Sequence, residues 1–191
     1  MEVHYKLYAQ DGYIQPMTEA LERIVKQHSF APEDVEEVRA GTNRHAHDVI
    51  LSAVREPRDV TSAQWCPNFS LALFLVKKGA GFQEYTEDSL VDPRILELSR
   101  KVSIELDEEV EQEWQKTKWR GARVTVRLTS GETYTEWVHM LRTMTAEDVD
   151  EKVRRLATVV VSTKQCERLV TMVRNLDTVR DVSSLVPLLI R

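Results

Sequence analysis

The sequence predicts an α+β fold, and two patterns carry that prediction. Strands and short helices succeed one another as far as about residue 142, and everything after that reads as helix. A chain of 191 residues holds one fair-sized core or two small ones. The expectation is therefore a small, mostly antiparallel sheet packed with helices over 1–142, followed by a helical carboxy-terminal segment over 143–191.

The elements follow in order. Residues 1–14 are aromatic-rich and contain Gly12, which suggests an extended or looped lead-in. Pro16 suits the first turn of a helix, where its missing N–H costs nothing. Leu21, Ile24 and Val25 supply that helix's apolar face, which runs out near His28 and Ser29. After Pro32, the run VEEVRAG reads as a short strand closed by Gly41, while 44–56 is ambiguous. Thr61 with Gln64 suggests a capping box, and Pro67 suits the first position of a helix that Gly79 would end. Its run FSLALFLV is apolar nearly all round, the mark of a buried helix.

Gly81 to Asp92 reads as a loop with one helical turn, and Pro93 opens a short helix that ends near Arg100. Val102, Ile104 and Leu106 alternate with polar residues as a half-buried strand does. Asp107 caps the charged helix EEVEQEWQK, whose acidic run from Asp107 to Glu113 is a solvated face. Val124, Val126 and Leu128 alternate again, Ser130-Gly131 turns the chain, and Thr133 to Val138 returns as a hairpin. From Thr145 and Asp148 a helix carries Val149, Val153, Leu156 and Val160 at helical spacing. A second helix carries Leu169, Val170, Val173 and Leu176, and a short third spans Val182 to Leu189.

The composition excludes several functions. A formal charge of -5 is a poor footprint for a phosphate backbone, so no nucleic-acid partner is expected. The amino terminus has no apolar signal region, and no stretch approaches a membrane span, so the expected location is cytoplasmic. Cys66 and Cys166 form no CxxC pair and read as reduced thiols.

Three groups invite chemistry. Lys6 and Tyr8 precede the helix near Pro16, whose free N–H groups and positive dipole end favour an anion. Lys6 would add a point charge for one carboxylate of a di- or tricarboxylic acid, against the plainer reading of an exposed lysine before a helix. His45 and His47, on a strand, would share a face near Asp48, but without further ligands they read as a solvated polar edge, and no metal site is expected. Cys66, ahead of Pro67, is either a thiolate with a depressed pKa at a helix start or a small buried hydrophobe.

A family resemblance joins these pieces. Lys6-Leu7-Tyr8, then Tyr13, Pro16 and Glu19-Ala20-Leu21, resemble the lysine-aromatic segment that opens the lid domain of MmgE/PrpD (2-methylcitrate dehydratase-like) proteins. The run SAQWCPNFSLA, from Ser62 to Ala72, is similar to the family's block that leads into an apolar helix. Gly79, Phe82, Tyr85, Leu90, Asp92-Pro93 and Leu98 continue the pattern. Lys101 to Asp107 and Gly121 to Tyr134 match its sheet, and Thr145 to Asp148 with Lys152 matches the start of its returning helices. The resemblance covers essentially the whole chain.

It implies a lid-type α+β domain that closes over a site in a larger helical domain, with the carboxy-terminal helices packing back onto that domain. It also implies acid–base chemistry on small polycarboxylates with no cofactor, no metal and no iron–sulfur cluster. Lys6 matches the family's site lysine and is the catalytic candidate; Tyr8, Gln15, Cys66 and Phe69 are the substrate-binding candidates. The chain departs from the pattern at Ile14-Gln15, where many members carry Thr-His, and at Cys66 and Phe69, where members often carry serine and tyrosine. Gln15 cannot shuttle a proton, and Phe69 keeps a ring without its hydroxyl.

The expectation is thus the carboxy-terminal part of a lyase, inactive without the helical domain, which a separate subunit would supply. The alternative is a non-catalytic module that binds an acidic metabolite or a partner protein. Without the helical domain, the face at Val149, Val153, Leu156 and Val160 needs another cover, and a twofold homodimer is the simplest one.

Overall fold

The computed structural model describes residues 5–190, so the first four residues of the expected lead-in lie outside it. The described residues divide into two compact units. One spans Lys6–Arg142, and the other holds 143–190 with Tyr5.

In the first unit a four-stranded mixed sheet carries the helices. Strands β1 (Val35–Thr42), β2 (Val102–Leu106), β3 (Ala122–Leu128) and β4 (Thr133–Val138) lie in the order β2-β1-β3-β4. β3 pairs antiparallel with both β1 and β4, as expected of a mostly antiparallel sheet. The exception is β1 with β2, which run parallel in a register that sets Val38 opposite Val102 and Thr42 opposite Leu106. A parallel pair needs a crossover, and residues 43–101 supply it. The β3–β4 hairpin turns at Gly131, whose φ of 92° is open to glycine at little cost.

Helix α1 (Ile14–Gln27) buries Ile14, Met17, Leu21 and Ile24, a helical stripe that lies over β3 and β4. Two short elements follow β1. A π-helical turn covers Ala46–Ile50, and α2 covers Val60–Ala63. The box that opens α2 is not Thr61 with Gln64. Asp59 accepts the Ser62 N–H at 2.7 Å while the Ser62 hydroxyl takes the Asp59 N–H at 3.0 Å, and Gln64 sits at the helix end. Asp59, in extended backbone just before the helix, is the residue placed to accept the first-turn amide.

Helix α3 (Pro67–Lys77) is buried along Phe69 to Leu75, as its all-round apolar run predicts. It packs on α1, on β2 and on α5 (Pro93–Ser99), with the single-turn α4 (Glu87–Leu90) before α5. Its closing residue is Lys78, not Gly79. Lys78 takes the left-handed conformation, φ 56°, and returns its N–H to Phe74 O at 2.8 Å. Helix α6 (Glu108–Thr117) starts as expected, with the Asp107 carboxylate accepting the N–H groups of Glu109 and Val110.

The second unit consists of α7 (Ala146–Ala157), α8 (Thr163–Arg174) and 3-10 turns at Leu176–Thr178 and Val182–Leu188. Capping boxes open both helices, Thr145 with Asp148 and Ser162 with Gln165. Arg174–Asp150 (2.8 Å) and Arg154–Glu167 (2.7 Å) tie the two together. Much of the expected apolar face is open: Val149 and Leu156 are each 38% exposed and Val160 is 51% exposed. No helix among the described residues is long and apolar enough to cross a membrane.

Candidate functional site

The segment Lys6–Asp11 lies against the core beside the start of α1. Backbone bonds from Ala9 N to Ala80 O and from Asp11 N to Gln64 O, both 2.8 Å, pin it to the ends of α3 and α2. The Gln15 side chain does the rest. Fully buried in the first turn of α1, it accepts the N–H groups of Leu7 (3.0 Å) and Tyr8 (3.1 Å) and donates to the carbonyls of Tyr8 (2.9 Å) and Gln10 (3.1 Å). A glutamine amide has two donors and two acceptor sites, so Gln15 is saturated by its own chain. It acts as a clamp on the segment.

The Gln10 carbonyl is the point where this clamp meets Lys6. It accepts the Lys6 ammonium at 2.9 Å as well as the Gln15 amide. The Gln10 side chain is buried in turn, bonded to Thr18 and to the Tyr85 hydroxyl, which lies 2.7 Å from the Ser70 hydroxyl. Lys6 itself is exposed. The arrangement therefore presents a cation at the surface from a backbone fixed by a buried polar network.

The anion cradle expected at the start of α1 is already occupied. The N–H groups of Ile14 and Gln15 point to Asp11 O at 3.2 and 3.3 Å, Tyr13 N donates to the Asp11 carboxylate at 2.8 Å, and Pro16 has no N–H. The main-chain oxygen and carboxylate of Asp11 take up these donors.

Tyr8 sets its ring edge-on to Phe74 and donates its hydroxyl to Glu22 at 2.8 Å. Burial, and then the Glu22 carboxylate beside it, push the phenol well above its ordinary pKa. At neutral pH Tyr8 is a hydrogen-bond donor and not a base. Nearby, the buried Glu19 carboxylate pairs with Arg23 at 2.7 Å and accepts the Arg142 N–H at 3.3 Å.

Cys66 and Phe69 stand elsewhere, each 1% exposed, in the wall of a cavity of about 680 Å³ between the start of α3, the end of α5 and β2. Burial raises the Cys66 thiol, outweighing the backbone N–H groups of Phe69 and Asn68 that act against the shift. Its hydrogen goes to Arg55 O at 3.5 Å. The small-hydrophobe reading holds and the thiolate reading fails, because desolvation dominates a helix start this deep. Tyr85 bridges the two sets, tilting its ring on Phe69 and giving its hydroxyl to Gln10.

The histidines are not on a strand. His45 precedes the π-helical turn and stacks on Trp114, while His47 Nδ1 meets Asp48 at 2.7 Å. Among the described residues no group of three or more His, Cys, Asp or Glu is placed to hold a metal ion. Sequence reasoning missed Gln10, Ser70 and Tyr85, which come together only across the fold.

A profile of the MmgE/PrpD C-terminal domain matches residues 8–178. The chain belongs to this family. A cis-aconitate decarboxylase of Aspergillus terreus is 27% identical over a 202-residue alignment that covers 98% of this chain and 40% of the relative. A second cis-aconitate decarboxylase, from Aspergillus terreus strain NIH 2624 / FGSC A1156, is 26% identical over the same shares. The chain thus spans about two-fifths of the length of these curated relatives.

Proposed function

We propose that this MmgE/PrpD chain is the carboxy-terminal part of a lyase for small di- or tricarboxylic acids, 2-methylcitrate dehydratase-like, and that it works only together with a helical domain of the family's kind. The observation that carries the reading is Lys6 Nζ on Gln10 O at 2.9 Å, on a backbone held by four Gln15 bonds. Removing a proton or a carboxylate next to another carboxylate builds negative charge, and a fixed ammonium lowers the cost of that charge. Lys6 serves as that group, Tyr8 stays a donor, and the helical domain brings the base. The relatives' decarboxylation of cis-aconitate keeps the substrate within the same chemical class. A second copy of the chain, or that helical domain, covers the apolar side chains of 143–190.

Saturation of Gln15 favours a second reading, a non-catalytic module that binds an acidic metabolite or a partner protein. The test is to co-purify the chain with a MmgE/PrpD helical domain and assay 2-methylcitrate and cis-aconitate. A stable complex with turnover supports the lyase. If no complex forms, but citrate raises the melting temperature of the chain and Lys6→Ala abolishes the rise, the module reading replaces it. The isolated chain is expected to show no turnover, and robust activity from it alone would overturn the proposed division of labour.

A further inference from the structure

The cavity beside Cys66 and Phe69 has chemistry of its own. Phe69, Leu51 and Val102, all at most 5% exposed, form an apolar floor, and His47, Ser52, Asn68 and Ser99 add polar groups to the lining. At its mouth stand Arg55 and Arg100, both exposed, with Glu56 the one acidic side chain in the lining. Neither guanidinium meets a carboxylate among the described residues. In the same unit Arg23, Arg39, Arg44, Arg94, Arg123 and Arg127 are all paired with one, while Arg58, like Arg55 and Arg100, is not, and Arg120 lies over the Tyr13 ring.

A volume of about 680 Å³ lies within the range of small-molecule sites, which combine an apolar lining with a few polar groups that orient the ligand. A guanidinium matches carboxylate and phosphate in planar, bidentate geometry. Lys6, Tyr8 and Gln15 are not part of the lining. We propose that this cavity binds an organic anion with a single charged head on an apolar acyl or aryl body, the head held by Arg55 and Arg100 and the body lying on Phe69, Leu51 and Val102. A polycarboxylate is the wrong ligand here, since its other charges would have to be desolvated against the floor. The site is independent of the polycarboxylate chemistry proposed for Lys6.

Calorimetric titration of the full chain tests this, with octanoate, octyl phosphate, citrate and hexanol as probes. Octanoate or octyl phosphate is expected to bind, and the tighter of the two identifies the head group. Arg55→Gln and Arg100→Gln should each weaken binding about tenfold or more, the effect of losing a charge-assisted hydrogen bond. Both arginines are exposed, so the variants keep their fold, and an unchanged circular dichroism spectrum verifies it. Lys6→Ala should leave octanoate binding unchanged, while citrate and hexanol should bind far more weakly. The proposal is overturned if neither octyl probe binds, if both arginine variants bind as the parent does, or if Lys6→Ala removes the signal. Citrate binding as tightly as octanoate, and depending on Arg55, would refute the apolar body.

Discussion

Replacing Gln15 with leucine keeps the volume and removes four hydrogen bonds at 2.9–3.1 Å. Each such bond contributes a net of about 0.5–1.5 kcal/mol, and a polar group left buried without a partner costs about 1–3 kcal/mol. Of the four groups released, the Gln10 carbonyl still has the Lys6 ammonium. Leu7, Tyr8 and Ala9 are half-buried, so water reaches part of the segment. Those offsets place the expected loss at about 2–4 kcal/mol. Urea unfolding followed by tryptophan fluorescence reads it cleanly, because Trp65, Trp114, Trp119 and Trp137 all lie in the Lys6–Arg142 unit. The Leu7 and Tyr8 amides should also exchange faster with solvent in the variant. A midpoint within about 0.5 kcal/mol of the parent, the usual range for a surface change, would refute the clamp.

Other outcomes follow from the same geometry. Tyr8 and Tyr85 are both held above their ordinary pKa, with burial as the largest cause. Above about pH 10 the unfolded chain therefore releases protons that the folded chain keeps, and stability falls as pH rises, by about 1.4 kcal/mol per pH unit for each tyrosine. Tyr85→Phe should remove one proton's share of that slope in alkaline urea titrations, and an unchanged slope would contradict the assignment. Lys78→Gly should raise stability by up to about 1 kcal/mol, since a left-handed φ of 56° costs lysine more than glycine; a loss in thermal unfolding would show that the lysine side chain matters more than its backbone. Light scattering of the purified chain should give a dimer through the apolar face at Val149, Leu156 and Val160, and a strict monomer would count against that cover.

Local patterns were legible in the sequence and distant pairings were not. The hairpin of β3 and β4 could be read because alternation and Ser130-Gly131 lie within one short stretch. β2 was equally clear as a strand, but alternation does not name a partner, and its parallel pairing with β1 depends on the helices of 43–101. Capping misled twice. Asp59 displaced Thr61 and Lys78 displaced Gly79, because several residues in a row had suitable chemistry and tertiary fit chose among them. At the candidate site, Lys6 and Tyr8 lay in a readable motif. Gln15 read as a group facing a ligand, yet its position in the first turn of a buried helix turned it onto its own backbone. Gln10 and Tyr85 are 75 residues apart, and no local signal joins them. Arg55 and Arg100 were equally silent, since only the fold shows which arginines lack a carboxylate.

In the proposed lyase Lys6 presents a positive charge to a small polycarboxylate. The direct measurement is the turnover number for 2-methylcitrate and cis-aconitate in a complex of this chain with a MmgE/PrpD helical domain, comparing the parent with Lys6→Ala and Lys6→Arg. Removing one preorganised electrostatic group typically costs about 10²–10³ in turnover. A loss of that order is expected for Lys6→Ala, with partial recovery in Lys6→Arg, while the complex itself remains intact. Turnover within a few-fold of the parent in Lys6→Ala would contradict that role.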